Sequence, residues 1–368
     1  MSPPTDGPRP RGRGLRRLAI VLVVALGAIG SCVAMRPTHD GPVTEHFDGA
    51  RFHDDPPVHK SLREVLKWQL EREPGGPWTR DLTPIVRPPP PARVGPGEMQ
   101  VTFVNHATVL IQLDGFNLLT DPIWAERASP LAWAGPERYR APGLRFRDLP
   151  PIDLVLISHN HYDHMDRFSL RLLAEDHDPL FLVPLGNCFY LSMVPRDRCV
   201  ELDWWQTRDL DGGARIHAVP ARHWARRGTF DTNRSLWAGW VIEAEGRRIY
   251  FAGDTGMGEH FAEIRERLGP PDLALLPIGA YLPRWFMAPQ HIDPAEAVAA
   301  HEQVGATESM AIHFGTFKLA DDGQDQPVED LLAAIESGGA DRDSFWIPAQ
   351  GETRRWPAST AVAERHAH

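Results

Sequence analysis

The chain has 368 residues, a formal net charge of −10, 42% hydrophobic and 24% charged residues. That balance excludes a disordered chain and, with no basic excess, argues against a nucleic-acid partner. Three cysteines, Cys32, Cys188 and Cys199, with no C-x-x-C pair, exclude a disulfide scaffold and a thiolate zinc site.

Arg9, Arg11, Arg13, Arg16 and Arg17 precede an uncharged run, LAIVLVVALGAIGSCVAM (18–35). A basic stretch followed by an apolar one has the shape of an export signal or signal anchor. The run is near the lower limit for crossing a bilayer, roughly 17–25 residues. Its IGSC resembles a bacterial lipoprotein box with Cys32 as the acylated residue. Residues 1–35 are therefore expected to be a signal or membrane anchor. The protein is expected at a membrane, on the periplasmic or cell-envelope side. In an exported protein Cys188 and Cys199 could pair; two buried thiols are the alternative.

Residues 36–95 form a proline-rich arm. One helix is predicted in it over SLREVLKWQLERE (61–73), with Ser61 and Glu64 as a capping box. RPPPPAR (87–93) stops any helix. A domain is predicted over 96–353, followed by a tail over 354–368. It starts with short β-rich runs, MQVTFV, ATVLIQL and FNLLT, the last two joined by an Asp114-Gly115 hairpin turn. DLVLIS (153–158), LFLVP (180–184), ARIHAV (214–219), LWAGWVIEAEG (236–246), RRIYFAG (247–253), DLALLPIG (272–279) and SMAIHFG (309–315) read as further strands. Helices are predicted near 166–175, 259–268, 294–303 and 327–337. Hairpins mixed with strand–helix–strand units imply an α/β sandwich with helices outside.

Polar residues stand at the ends of these apolar runs: Asp121, His159, His223, Asp254 and His313. SHNHYDHMD (158–166) adds His161, Asp163 and His164. At the end of an extended stretch, positions i and i+2 point the same way, so His159 and His161 can reach one ion. Imidazole with carboxylate and no thiolate suits Zn²⁺, with Fe²⁺ or Mn²⁺ as alternatives. One ion would take His159, His161 and His223; a second would take Asp163, His164 and His313; Asp254 would bridge them. Each ion then keeps an open position, as catalysis requires.

HNHYDH and FAGDTG resemble signatures of the metallo-β-lactamase superfamily. The longer strings VNHATVLIQLDGFNLLTDPIWAERASP, LPPIDLVLISHNHYDHMD, LPIGAYLPRWFMAPQHIDPAEAV and SMAIHFGTF are similar to the N-acyl-phosphatidylethanolamine-hydrolysing phospholipase D family, over about residues 58–353. That resemblance implies an αββα sandwich of two mixed sheets flanked by helices, two Zn²⁺ per chain, and a phospholipid substrate at a membrane surface. It implies hydrolysis to N-acylethanolamine and phosphatidic acid by a hydroxide held between the ions. Asp163, Asp254 and His291 would be the catalytic residues. Tyr162, Gln290, His291, Arg284, Trp285, Phe286 and Met287 would contact substrate, with Arg284 near a lipid phosphate. Asp121 and His106 would orient ligands. A second copy of the chain is a candidate partner. The alternatives are a hydrolase of the same fold acting on a lactone, thioester or other phosphodiester, or a non-catalytic metal- or lipid-binding protein.

Overall fold

The computed structural model describes residues 37, 39–54, 60–73, 75–338 and 341–357. The expected signal or anchor segment, with Cys32, lies outside them, as does the end of the tail. In the arm, α1 (Leu62–Leu70) starts at Ser61, whose hydroxyl accepts from the Glu64 amide while Glu64 reaches back to the Ser61 amide. Reciprocal capping satisfies two amides that a helix start otherwise leaves bare.

The first sheet is built from short, largely apolar strands whose successive side chains point to its two covered faces in turn. It comprises β1 (Met99–Asn105), β2 (Thr108–Leu113), β3 (Phe116–Thr120), β4 (Leu154–Leu156), β5 (Leu180–Pro184) and β6 (Cys199–Leu202). Asp114 (φ 50°) and Gly115 (φ 76°) make the β2–β3 turn, both in the left-handed region that a tight hairpin needs. Val109 and Ile111 face inward, while Leu110 faces outward onto Leu170 and Leu173 of α2 (Arg167–Asp176).

The second sheet contains β7 (Thr207–Asp209), β8 (Arg215–Val219), β9 (Gly239–Ala244), β10 (Arg247–Phe251), β11 (Leu273–Pro277), β12 (Glu308–Ile312) and β13 (Phe345–Trp346). Helices α3 (His260–Leu268), α4 (Arg284–Met287), α5 (Pro294–Val304) and α6 (Gln326–Gly338) accompany it. Strand β14 (Thr353–Trp356) returns to the first sheet beside β1, so that sheet continues through the domain end expected at 353.

The orders are β14-β1-β2-β3-β4-β5-β6 and β13-β12-β11-β10-β9-β8-β7. In each sheet one half is antiparallel and the other parallel. Met99, Val101, Phe103, Trp240, Ile242 and Leu275 belong to the large core that the sheets share. Each such side chain, fully buried, stabilises the fold by roughly 1.5–3 kcal/mol. This is the expected αββα sandwich. The β6, β7, β13 and β14 strands are short or exposed and carried no usable alternation.

Candidate metal centre

Loops leaving the ends of β1, β3, β4, β8, β10 and β12 converge at one rim of the sandwich. His159, His161, Asp163 and His164 lie on the β4–α2 connection. Asp166 ends it as the N-cap of α2, accepting from the amides of Phe168 and Ser169. His223 follows β8, Asp254 follows β10 and His313 follows β12 directly. The candidate ligand side chains are buried except His161, which, like the capping Asp166, is partly covered.

The nitrogens gather in two groups. His159 Nε2 lies 2.8 Å from His161 Nδ1, which lies 3.2 Å from His223 Nε2. Asp163 Oδ2 lies 3.2 Å from His164 Nε2 and 3.4 Å from His313 Nε2. Asp254 stands between the groups. Its Oδ1 is 3.2 Å from His313 Nε2; its Oδ2 is 3.2 Å from His164 Nε2, 3.8 Å from His223 Nε2 and 4.0 Å from His159 Nε2. Tetrahedral zinc with bonds near 2.0–2.1 Å separates its ligand atoms by about 3.3–3.4 Å. The observed spacings fit one cation in each group.

Hydrogen bonds behind the rings decide which nitrogen faces inward. Asp121 Oδ2 accepts from His164 Nδ1 (2.6 Å) and from the Ser158 hydroxyl (2.5 Å). With its proton on Asp121, Ser158 Oγ receives His159 Nδ1–H at 2.9 Å. His223 Nδ1 donates to the Gln290 carbonyl at 2.9 Å. In all three rings Nε2 is thereby the nitrogen aimed at the centre. His106 Nε2 touches Asp163 Oδ2 at 3.0 Å, and its carbonyl accepts the His313 amide. Buried atoms without a hydrogen-bond partner cluster here: His161 Nε2, His164 Nε2, Asp254 Oδ1, His291 Nδ1 and His313 Nε2. Such orphans in a close-packed interior call for a ligand.

Electrostatics agree. Burial, reinforced by neighbouring rings, holds the His159 imidazole well below its usual range. Burial depresses His161 and His223 to about 3. These three are neutral, as ligands must be. Burial also opposes charge on His164 and His313, yet Asp254 and Asp163 outweigh it, lifting His164 well above its usual range and His313 to about 9. Without a cation the two carboxylates thus retain protons on these rings. A proton and a cation compete for the same lone pairs.

The centre opens into a cavity of about 660 Å³ whose wall includes His161, Tyr162, Asp163, Asp254, His291 and His313. His291 is 3.9 Å from Asp254 Oδ2 by its Nδ1. Gln290, Phe286 and Met287 also line this cavity. The Tyr162 hydroxyl donates to the Arg227 carbonyl. Two expected substrate contacts are corrected. Arg284 is held by Asp293 (3.2 Å), Glu296 (2.6 Å) and the His291 carbonyl (2.8 Å), so its charge is spent on the start of α5. Trp285 points outward, half exposed beneath Lys67.

Sequence reasoning missed Ser158 and Arg227. The Arg227 guanidinium donates to the carbonyls of Asn160 and Met165 and covers the Tyr162 ring at 4.1 Å, bracing the histidine loop. Ser158 had a signal, its adjacency to the first histidine; Arg227 had none. Cys188 and Cys199 are joined as a disulfide.

The model of the β-lactamase superfamily domain matches residues 116–314. Two solved structures share the fold. The isothiocyanate hydrolase from Delia radicum gut bacteria has a TM-score of 0.56 at 20% identity, over 70% of this chain and 98% of that one. A metallo hydrolase from Ignicoccus hospitalis has a TM-score of 0.53 at 21% identity, over 71% and 100%. The chain belongs to the metallo-β-lactamase superfamily and is a metal-dependent hydrolase. Within that superfamily it resembles N-acyl-phosphatidylethanolamine-hydrolysing phospholipase D. Phospholipase D 1 of this kind from Caenorhabditis elegans is 42% identical over 228 residues, 59% of this chain and 64% of that protein. The mitochondrial protein of that name from Saccharomyces cerevisiae is 36% identical over 68% of this chain and 55% of that one. The chain thus spans less than two thirds of either relative. An uncharacterized protein of Mycobacterium tuberculosis is 40% identical over 78% and 79%.

Proposed function

We propose that the chain hydrolyses the phosphodiester of N-acylated ethanolamine phospholipids on the head-group side of phosphorus, using two divalent cations, zinc first. One observation carries this reading: two sets of ligand atoms sharing Asp254 open directly into a cavity walled by apolar side chains. His159, His161 and His223 would hold one cation; Asp163, His164 and His313 the other; Asp254 both. Bound there, the cations supply Lewis acidity, neutralising phosphoryl charge and making water nucleophilic at neutral pH.

The protein's own groups do the rest. Asp121, Ser158 and the Gln290 carbonyl fix ring orientation, and His106 holds the Asp163 carboxylate. His291, with Nδ1 unpartnered beside Asp254, is placed to hydrogen-bond a phosphoryl or leaving oxygen. Phe286, Met287, Val65 and Leu319 on the cavity wall suit acyl chains and exclude water. The relatives of the same name support the substrate class.

The disulfide supports a location outside the reducing cytosol, in line with the basic and apolar N-terminal run. Among the described residues no helix is long and apolar enough to cross a membrane. Purified protein incubated with defined N-acyl-phosphatidylethanolamine should release the N-acylethanolamine and phosphatidate, identified by mass, and Asp163→Ala should lose at least ~10³-fold in turnover. Diacylglycerol as product, or cleavage of a lactone with no phosphodiester cleavage, would overturn the reading.

A further inference from the structure

The cavity has a wall that the expected domain, starting near residue 96, does not supply. Ser61, Val65 and Trp68 of the arm line it together with Lys60. The arm is fastened there. The Trp68 ring stacks on Phe286 at 4.9 Å and its Nε1 donates to Asp321 Oδ2 at 2.7 Å; Arg72 binds the other oxygen of Asp321 at 2.7 Å.

Lys60, just before this helix, is placed unlike the other cations near the centre. Its ammonium lies over the Phe286 ring, 3.6 Å from the centroid, and 4.0 Å from Met287 Sδ. Among the described residues no carboxylate lies within ion-pair distance of it. Glu64, nearby, is engaged by the Ser61 amide (2.8 Å) and hydroxyl (2.7 Å). The other cations are committed: Arg284 to Asp293 and Glu296, Arg227 to two carbonyls of the histidine loop. Arg226, also on the cavity wall, is exposed and bound by Nε to the Gly228 carbonyl.

A partly buried ammonium whose contacts are a ring face and a sulfur, with Glu64 acting on it only from beyond ion-pair distance, lacks a paired counter-ion. The cavity it faces is the one into which Asp163, Asp254, His291 and His313 open. We propose that Lys60 anchors the phosphate group of the substrate, so that the arm completes the active site. This rests on the phosphodiesterase reading of the centre. Burial, partly offset by Glu64, holds the Lys60 ammonium down at about 7, and an arriving anion would restore its charge.

The test uses metal-loaded full-length protein. Lys60→Met should keep its metal content and its kcat within a few-fold. It should raise KM for a lipid phosphodiester in vesicles, and weaken competitive inhibition by inorganic phosphate, by roughly 10- to 100-fold, the range of a charge-assisted hydrogen bond. Lys60→Arg should recover most of both. Folded, metal-replete Lys60→Met with unchanged KM and phosphate inhibition would overturn the assignment, as would equal loss in Lys60→Arg. If phosphate inhibition weakened while KM for the lipid did not, Lys60 would serve a free anion, and the substrate role would fall. Should Lys60→Met not fold, Lys60→Gln replaces it in the same measurements. If the wild type cleaves no phosphodiester, the phosphodiesterase reading fails; calorimetric titration with inorganic phosphate then judges Lys60 alone, and equal affinity in wild type and variant would reject it.

Discussion

Asp121 shows how far a single carboxylate reaches. It is fully buried, and one oxygen orients His164 directly while also setting His159 through Ser158. A ring whose Nδ1–H is held by one hydrogen bond presents Nε2 to the centre and is fixed in that tautomer. Asp121→Asn would hand His164 an amide that can donate as well as accept. The expected result is a 10- to 100-fold loss of metal affinity, measured by competition with a chelating dye. An unchanged affinity would mean that Asp121 merely ends its strand. The sequence pointed to Asp121 because it follows an apolar run. Nothing in it separated this carboxylate from the capping carboxylates Asp166 and Asp293, whose partners are helix amides.

Strand ends do at the next scale what side chains do at the first. His106 (φ 50°), Asp121 (φ 33°) and His313 (φ 62°) all sit in the left-handed region directly after strands, where a side chain costs of order 1–3 kcal/mol. The strands are anchored in the core, so each turn is forced and its side chain is re-aimed at the centre. At the end of β10, glycine is required outright. A Cβ on Gly253 (φ +63°) would stand 2.6 Å from Ser158 Cβ. Gly253→Ala should therefore destabilise by roughly 2–3 kcal/mol in urea unfolding. Through the displaced Ser158 it should also lower the metal content of the purified protein. Full stability with full metal loading would show that Ser158 can move aside freely. The FAGDTG pattern marked this place as a motif; only the packed neighbour explains its glycine.

For the whole molecule, long-range closure is the common theme. The first sheet is completed by β14 from the far end of the chain, and the cavity by α1 from the arm. The Cys188–Cys199 bond closes a short loop on the β5–β6 connection, next to Tyr190, whose hydroxyl binds Asp231 in the loop that carries Arg227. Cys188→Ser should lower stability by about 2–3 kcal/mol, the loop-closure expectation for a ring of this size. A thermal melt compared with that of the wild type under reductant checks it. The two should coincide, and a variant as stable as the oxidised wild type would show that the bond adds nothing.

The strands, the helices with their caps and the residue types of the centre were legible locally, because apolar periodicity and capping pairs act within a few residues. HNHYDH, with Asp254, His223 and His313 in order behind it, also announced cation chemistry. Tertiary structure alone decided that Arg284 is used up by α5 while Lys60 faces the cavity, that Ser158 relays Asp121 to His159, and that Cys188 meets Cys199. The physical reason is that a charge or hydroxyl is defined by what it is packed against. Its partners here, up to 227 residues apart for Lys60 and Met287, are brought together only when both sheets close on one core.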